Sequence, residues 1–338
     1  MIAVWSLFIA LIIVLLALDL GVFNRKAHVI SMRAAIGWSV LWFCVAMCFT
    51  VFVYFGYEHH WFGLGMARDA VDGVVNDGRL AAVKFLTGYV IELSLSMDNV
   101  FVIALIFTFF RVPPQYQHRL LFWGILGAQI MRGLLIAMGA VLVARFHWIL
   151  YVFGGILIIT GLKMLFTDDE PKDLAENWVL RLTRRLFPVT HQYHGMHFTW
   201  RGDDGRRMLT PLALALIMVE TTDVIFAVDS IPAIFAITSD PFLVFTSNVF
   251  AILGLRSLYF ALAGLIERFR YLKVSLSIVL MLVGIKMLAA EYVKHWLGPN
   301  ANFILLGVVA GILAAGVIVS WLRPVPEHPP EEERKADL

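Results

Sequence analysis

The 338-residue chain is 60% hydrophobic and only 15% charged, against roughly 25% charged residues in a soluble domain. Its 27 basic and 25 acidic residues leave a formal net charge of +2, so bulk charge offers nothing to recruit nucleic acid or an acidic partner. Composition predicts instead an all-α, polytopic integral membrane protein whose first partner is the lipid bilayer.

Runs of about 20 apolar residues, the length that crosses a bilayer, occur nine times, at 3–22, 35–56, 82–110, 119–143, 147–166, 210–237, 243–265, 272–291 and 302–322. The opening Met1-Ile-Ala-Val-Trp-Ser-Leu lacks a basic n-region, so the first run is expected to be a retained span. Cys44 and Cys48 lie four apart on the second run and read as small buried hydrophobes rather than a metal or redox pair. Lysine and arginine concentrate in 23–34, 111–118, 167–209, 266–273 and 323–338, while Arg68, Arg79, Lys84, Arg145 and Lys294 fall to the other side. The positive-inside rule then places the N-terminus outside and the C-terminus in the cytoplasm.

The third run carries Glu92-Leu-Ser-Leu-Ser-Met-Asp98-Asn99, and the sixth carries Glu220-Thr-Thr-Asp223 followed by Asp229-Ser230-Ile-Pro232. Glu92 and Asp98 are six apart, as are Asp223 and Asp229. An ionised carboxylate at the centre of a span costs at least about 2.5 kcal/mol, so two matched acidic helices imply one site between them. The repeat continues: Arg132 and Arg256 each lie in the span after an acidic one, and Gly161-Leu-Lys163-Met-Leu is echoed by Gly284-Ile-Lys286-Met-Leu. Each half holds three spans, an odd number, so the second enters the membrane from the opposite face as an inverted repeat. The chain thus divides into 1–80 (two spans and an external loop), 81–166 and 210–292 (the repeat halves), a cytoplasmic loop 167–209, a final span 293–322, and a Pro-rich charged tail 323–338 expected to be disordered.

At about 100° per residue, Glu92, Ser96 and Asn99 share one helical face, while Ser94 and Asp98 lie about 120° away. A straight helix could not aim both acids at one ion, so the helices are expected to be broken, with Pro232 releasing the Val228 carbonyl beside Asp229. Carboxylates, free carbonyls and the hydroxyls of Ser94, Ser96, Thr221, Thr222 and Ser230, with the amide of Asn99, make a hard oxygen environment suited to a divalent cation. The absence of Cys and His from both stretches argues against zinc or copper. Five acids (Glu92, Asp98, Glu220, Asp223, Asp229) against Arg132 and Arg256 leave a charge of minus three, which one divalent cation and one proton would cancel. The competing reading is a set of structural ion pairs with no ligand. Lys163 and Lys286 read as snorkelling or pairing residues, and Asp19 as a partner of Arg25 or Lys26 in preference to a guard on an exit path. His191, His194 and His197 in the cytoplasmic loop could sense a metal but read better as part of a solvated connector, and Phe198–Leu209 reads as a hairpin around Gly-Asp-Asp-Gly.

These acidic motifs, the Asp19-Leu-Gly-Val-Phe element and Pro188-Val-Thr-His-Gln-Tyr-His-Gly resemble the TerC family over nearly the whole chain to about 322, and the length and nine-span layout resemble its Alx branch. The resemblance implies a bacterial inner-membrane exporter of manganese, with Glu92, Asp98, Glu220, Asp223 and Asp229 carried over as ligands. It also implies that a role tied by name to tellurium resistance, a membrane scaffold or a pH or metal-stress sensor, competes with transport. No Walker-type phosphate loop is present, which leaves Mn2+ and protons as partners of a secondary transporter that needs no cofactor. No enzyme is expected: an intramembrane aspartyl protease would carry a Gly-x-Gly-Asp pattern that neither acidic stretch contains.

Overall fold

The computed structural model describes residues 2–21, 32–166, 177–202, 205–262 and 270–322. Within them lie twelve helices: α1 (Ile2–Gly21), α2 (Met32–Glu58), α3 (Gly78–Phe109), α4 (Pro114–Arg145), α5 (Ile149–Phe166), α6 (Trp178–Leu186), α7 (Pro211–Phe235), α8 (Pro241–Leu253), α9 (Leu255–Leu262), α10 (Arg270–Leu288), α11 (Ala290–Leu297) and α12 (Ala301–Leu322). Eight are long and apolar enough to cross a membrane when α8 and α9 are taken as one, and Ile2–Leu18 is a shorter apolar helix. The all-α polytopic expectation is met. The carboxylates of Asp77 and Asp240 accept from the backbone N–H groups of Leu80 (2.7 Å) and Phe242 (3.0 Å), and Pro114, Pro211 and Pro241 open their helices. The carboxylates pair, and the prolines remove, N–H groups that a helix start leaves unpaired.

Lipid and core faces separate cleanly on α4. Ile130, Leu134, Met138 and Val141 are exposed, whereas Gln129, Arg132 and Ile136 are buried. Cys44 and Cys48 are exposed on α2, contrary to the expectation of burial, because Trp42, Ala46, Phe49 and Val53 take that helix's inward stripe. A core rich in tilted aromatic ring contacts, including Phe8, Phe49, Phe85 and Phe250, joins α1 and α2 to α3 and α8.

Helix α3 packs on α8, α4 packs on α7, and α5 packs on α10. At the α5–α10 crossing a Cβ on Gly161 would lie 2.9 Å from the Ser277 carbonyl and 2.7 Å from Met281, while one on Gly284 would lie 2.8 Å from the Gly154 carbonyl and 2.9 Å from Ile158. Gly161 and Gly284, Gly154 and Ser277, and Ile158 and Met281 are all 123 positions apart. Small residues thus let the two backbones touch, and they do so reciprocally.

The expected breaks in the acidic helices are absent. No Pro or Gly follows Gly88 within α3, so nothing interrupts its ladder. Pro232 lies inside α7, which runs three residues past it to Phe235; lacking an N–H, it leaves the Val228 carbonyl without its helical donor, but the helix does not break around Asp229. The interruption falls at Gly254, between α8 and α9 and two residues before Arg256. Thr199–Arg201 and Arg207–Leu209 form the expected hairpin, with Trp200 opposite Met208; its Asp203 and Asp204 lie outside the described residues, as do the side chains of Asp19 and Arg256 and the whole tail 323–338.

Candidate functional site

Arg132 is the hub. Its side chain, almost wholly buried, donates from Nε and Nη2 to the two carboxylate oxygens of Asp223 at 3.0 and 2.8 Å, a bidentate fork. Its Nη1 donates to Glu92 Oε1 and lies 3.5 Å from Ser230 Oγ. One guanidinium from α4 therefore ties the acidic helices α3 and α7 together. The remaining carboxylate oxygen of Glu92, Oε2, and the hydroxyl of Ser96 one turn on are buried without a hydrogen-bond partner among the described residues. Such groups are costly to leave unpaired.

Next to this group a cavity of about 20 Å³ is lined by Asn99, Thr222 and Asp223 against apolar neighbours such as Ile103, Ala128 and Phe226. That is room for about one water-sized guest. Glu220 packs its carboxylate on Gly127 of α4, where any side chain would displace it, and it is close enough to Asp223 for mutual repulsion.

The other expected site residues divide. Asp229 turns to α5, accepting from Thr160 Oγ1 at 2.7 Å within reach of the Lys163 charge. Asp98 is half-buried, about 9 Å along α3 from Glu92 at the helical rise. Ser94 and Thr222 hydroxyls donate to the carbonyls four residues back, Val90 and Met218, both at 2.7 Å. Among the described residues no three His, Cys, Asp or Glu side chains gather as a metal-holding group. The physical reason is that Arg132 lies between Glu92 and Asp223, and that unbroken helices send Asp229 to another face. His194 stacks on Trp200, ring centroids 4.1 Å apart, so the loop histidines do not converge.

A second buried polar cluster escapes the sequence reading. Lys84, counted there among residues outside the membrane, is fully buried in α3 and donates to Asp69 (2.7 Å) and Asn76 (2.7 Å), with Asp72 at 2.8 Å. Asp69 also accepts from Thr238 Oγ1 at 2.5 Å and from the Ser239 N–H and hydroxyl at 2.9 and 2.7 Å. Asp240 accepts from Tyr57 at 2.8 Å, and Lys286 donates to the Ala236 carbonyl at 2.8 Å. The segment between α2 and α3 is thereby clamped onto the α7–α8 turn.

Burial alone would raise the Asp69 carboxyl, but the Lys84 charge and the hydrogen bonds from Lys84, Thr238 and Ser239 outweigh it and bring it from 3.8 down to about 2. The folded group being the stronger acid, its stabilisation of about 2 kcal/mol is present above about pH 4 and lost as pH falls toward 2. Lys84→Met would strand that carboxylate in the interior and is expected to cost about 3–5 kcal/mol, read as a fall in melting temperature in detergent. Asp69→Asn in the same protein recovers most of the loss, and equal melting temperatures for wild type and Lys84→Met would refute the clamp.

The TerC family profile matches residues 78–325. The chain is 46% identical over 332 residues, 98% of this chain and 95% of the relative, to the uncharacterized membrane protein STKORF319 of Myxococcus xanthus. It is 42% identical over 322 residues to a Salmonella typhi protein, and 41% identical over 324 residues to one from Escherichia coli K12, both provisionally named membrane-bound redox modulator Alx, with 94% of each chain covered. No solved structure gives a significant match. With a family match running from the start of α3 to beyond α12, across both acidic helices and the Arg132 hub, the chain belongs to the integral membrane protein TerC family.

Proposed function

We propose that the chain is a secondary transporter that exports a divalent cation, Mn2+, in exchange for protons, and that the Glu92–Arg132–Asp223 group is the resting form of its binding site. The observation that carries this reading is the pair of buried oxygens without a hydrogen-bond partner among the described residues, Glu92 Oε2 and Ser96 Oγ, on the α3 face that Asn99 continues into the cavity beside Asp223. Charge points the same way. Glu92, Asp223 and Glu220 against Arg132 leave minus two, which one divalent cation would cancel, while Asp229 has Lys163 nearby. Arg132 then acts as a tethered counter-ion that withdraws as the ion arrives, freeing three further carboxylate-oxygen contacts. Oxygen donors of this hardness suit Mn2+, Ca2+ and Mg2+, and the family resemblance favours Mn2+.

On this reading the halves are inverted repeats meeting at the site, the supporting fact being the reciprocal Gly161 and Gly284 contacts. The protein sits in a bacterial inner membrane with its N-terminus outside, as its basic segments favour. The second reading is a scaffold or stress sensor, and the bidentate Arg132–Asp223 pair favours it, since a saturated ion pair needs no ligand. Redox modulation, in the name of the Alx relatives, would belong with that class. Flux of Mn2+, Ca2+ and Mg2+ in proteoliposomes, with and without an imposed pH gradient, separates the two. Transport predicts Mn2+ movement accelerated by a gradient acidic on the release side; no flux of any ion under either condition makes the scaffold reading correct.

A further inference from the structure

Helix α6 carries three different faces on only nine residues. It is set by Asn177, whose side chain accepts from the Val179 N–H at 2.9 Å, and Val179, Leu180 and Thr183 are buried. At about 100° per residue these three span a sector of about 100°. Trp178, Leu182 and Leu186, spaced four apart, fill the next sector of about 80° and are 65, 46 and 63% exposed. Phe187, just past the helix end, adds another exposed ring at 53%. Arg181, Arg184 and Arg185, all exposed, fill what remains.

The position of the helix decides what such a surface meets. Val179 and Leu180 pack into the core formed by Ile106 and Phe107 in the last turns of α3, Leu120 and Leu121 in the early turns of α4, and Leu212 and Leu214 at the start of α7. One membrane-spanning helix ends there and two begin, so α6 lies at the membrane boundary. A helix at that depth with one flank on the protein, one apolar flank bare and one basic flank matches an interfacial helix: the apolar side chains enter the acyl region and the arginines meet headgroup phosphates. Tryptophan at its first position belongs to the same level.

We infer that α6 is a lipid-docking element, seating Trp178, Leu182, Leu186 and Phe187 in one leaflet and binding the phosphates of anionic phospholipid through Arg184 and Arg185, with Arg181 beside them. Because α6 packs directly on α7, lipid seated here bears on an acidic helix from its membrane face.

The test uses the full-length protein in nanodiscs of phosphatidylglycerol and phosphatidylcholine. With Cys44 and Cys48 replaced by Ala, spin labels are placed singly at Leu182, Leu186 and Arg184. Labels at 182 and 186 are expected to relax with oxygen and to be shielded from a water-soluble nickel reagent, while the label at 184 shows the reverse preference. Labels at 182 and 186 that meet nickel as freely as that at 184 would mean α6 faces water. Shielding from both reagents would mean that protein, such as a second copy of the chain, covers it. Either result overturns the proposal. In native mass spectrometry, Arg184→Gln with Arg185→Gln is expected to lower phosphatidylglycerol retention roughly 30-fold without changing phosphatidylcholine retention. Unchanged retention, or loss of bound phosphatidylglycerol on adding inorganic phosphate, assigns the arginines to something other than a seated lipid.

Discussion

Glu92→Gln and Asp223→Asn are each expected to reduce Mn2+ flux in proteoliposomes by at least about 100-fold while the protein still folds and inserts. Amides preserve the volume but keep a single acceptor oxygen, so at position 223 Arg132 retains one of its two bonds. What is lost is ligand charge. Removing even residues that only orient a ligand commonly costs about 10–100-fold in affinity, and a charged donor facing the ion should cost no less. Asp98→Asn and Asp229→Asn are expected to abolish flux too, but by another route. Asp229 bonds to Thr160 and lies away from Arg132, so its amide variant should retain Mn2+ binding in detergent, whereas Glu92→Gln and Asp223→Asn should not. Wild-type flux in all four variants would establish the acids as structural.

Arg132→Met should produce the other large effect, and its sign depends on the metal. Without metal the variant leaves the Glu92 and Asp223 carboxylates buried and uncompensated, a change expected to cost about 3–5 kcal/mol. Millimolar Mn2+ is then expected to restore more stability to the variant than it adds to the wild type, because the ion replaces the missing guanidinium and a ligand bound only by the folded state stabilises it by mass action. Thermal unfolding in detergent across a Mn2+ series reads both quantities. If Arg132→Met melts lower and metal brings no recovery, the guanidinium is a structural tie between α3 and α7 and does not stand where the cation goes.

Much of this was legible in the sequence, for reasons tied to particular residues. Apolar runs of spanning length have few alternatives in lipid, so seven of the nine expected spans return as single helices of spanning length, the run at 243–265 as α8 and α9 together, and the first as a shorter helix. The placement of Glu92 and Asp223 was readable because acids are costly in such runs, and the grouping of Arg132 with them follows from charge. The 120° between Glu92 and Asp98 was read correctly, but the conclusion that the helices must break was not. The fold uses Arg132 to join one acid from each helix and leaves Asp229 to Thr160. Lys84 was missed because its partners, Asp69, Asp72 and Asn76, come from a polar loop that looks solvated until it folds back over the α7–α8 turn. The signal was there: three side chains able to accept hydrogen bonds within eight residues, just before a helix with a lysine on its second turn. Helix α6 was missed because nine residues with three arginines look like a connector until burial separates its faces.

The central claim is that these carboxylates hold a divalent cation in exchange for protons, and the most direct measurement is calorimetric. Mn2+ is titrated into the detergent-solubilised protein in buffers of differing ionisation enthalpy between pH 6 and 9. Saturable binding is expected, with protons released on binding, affinity that rises with pH over part of that range as linkage requires, and loss of both signals in Asp223→Asn. Binding with no proton release anywhere in the range, or no binding at all, would contradict it, the first leaving a uniporter and the second a membrane scaffold.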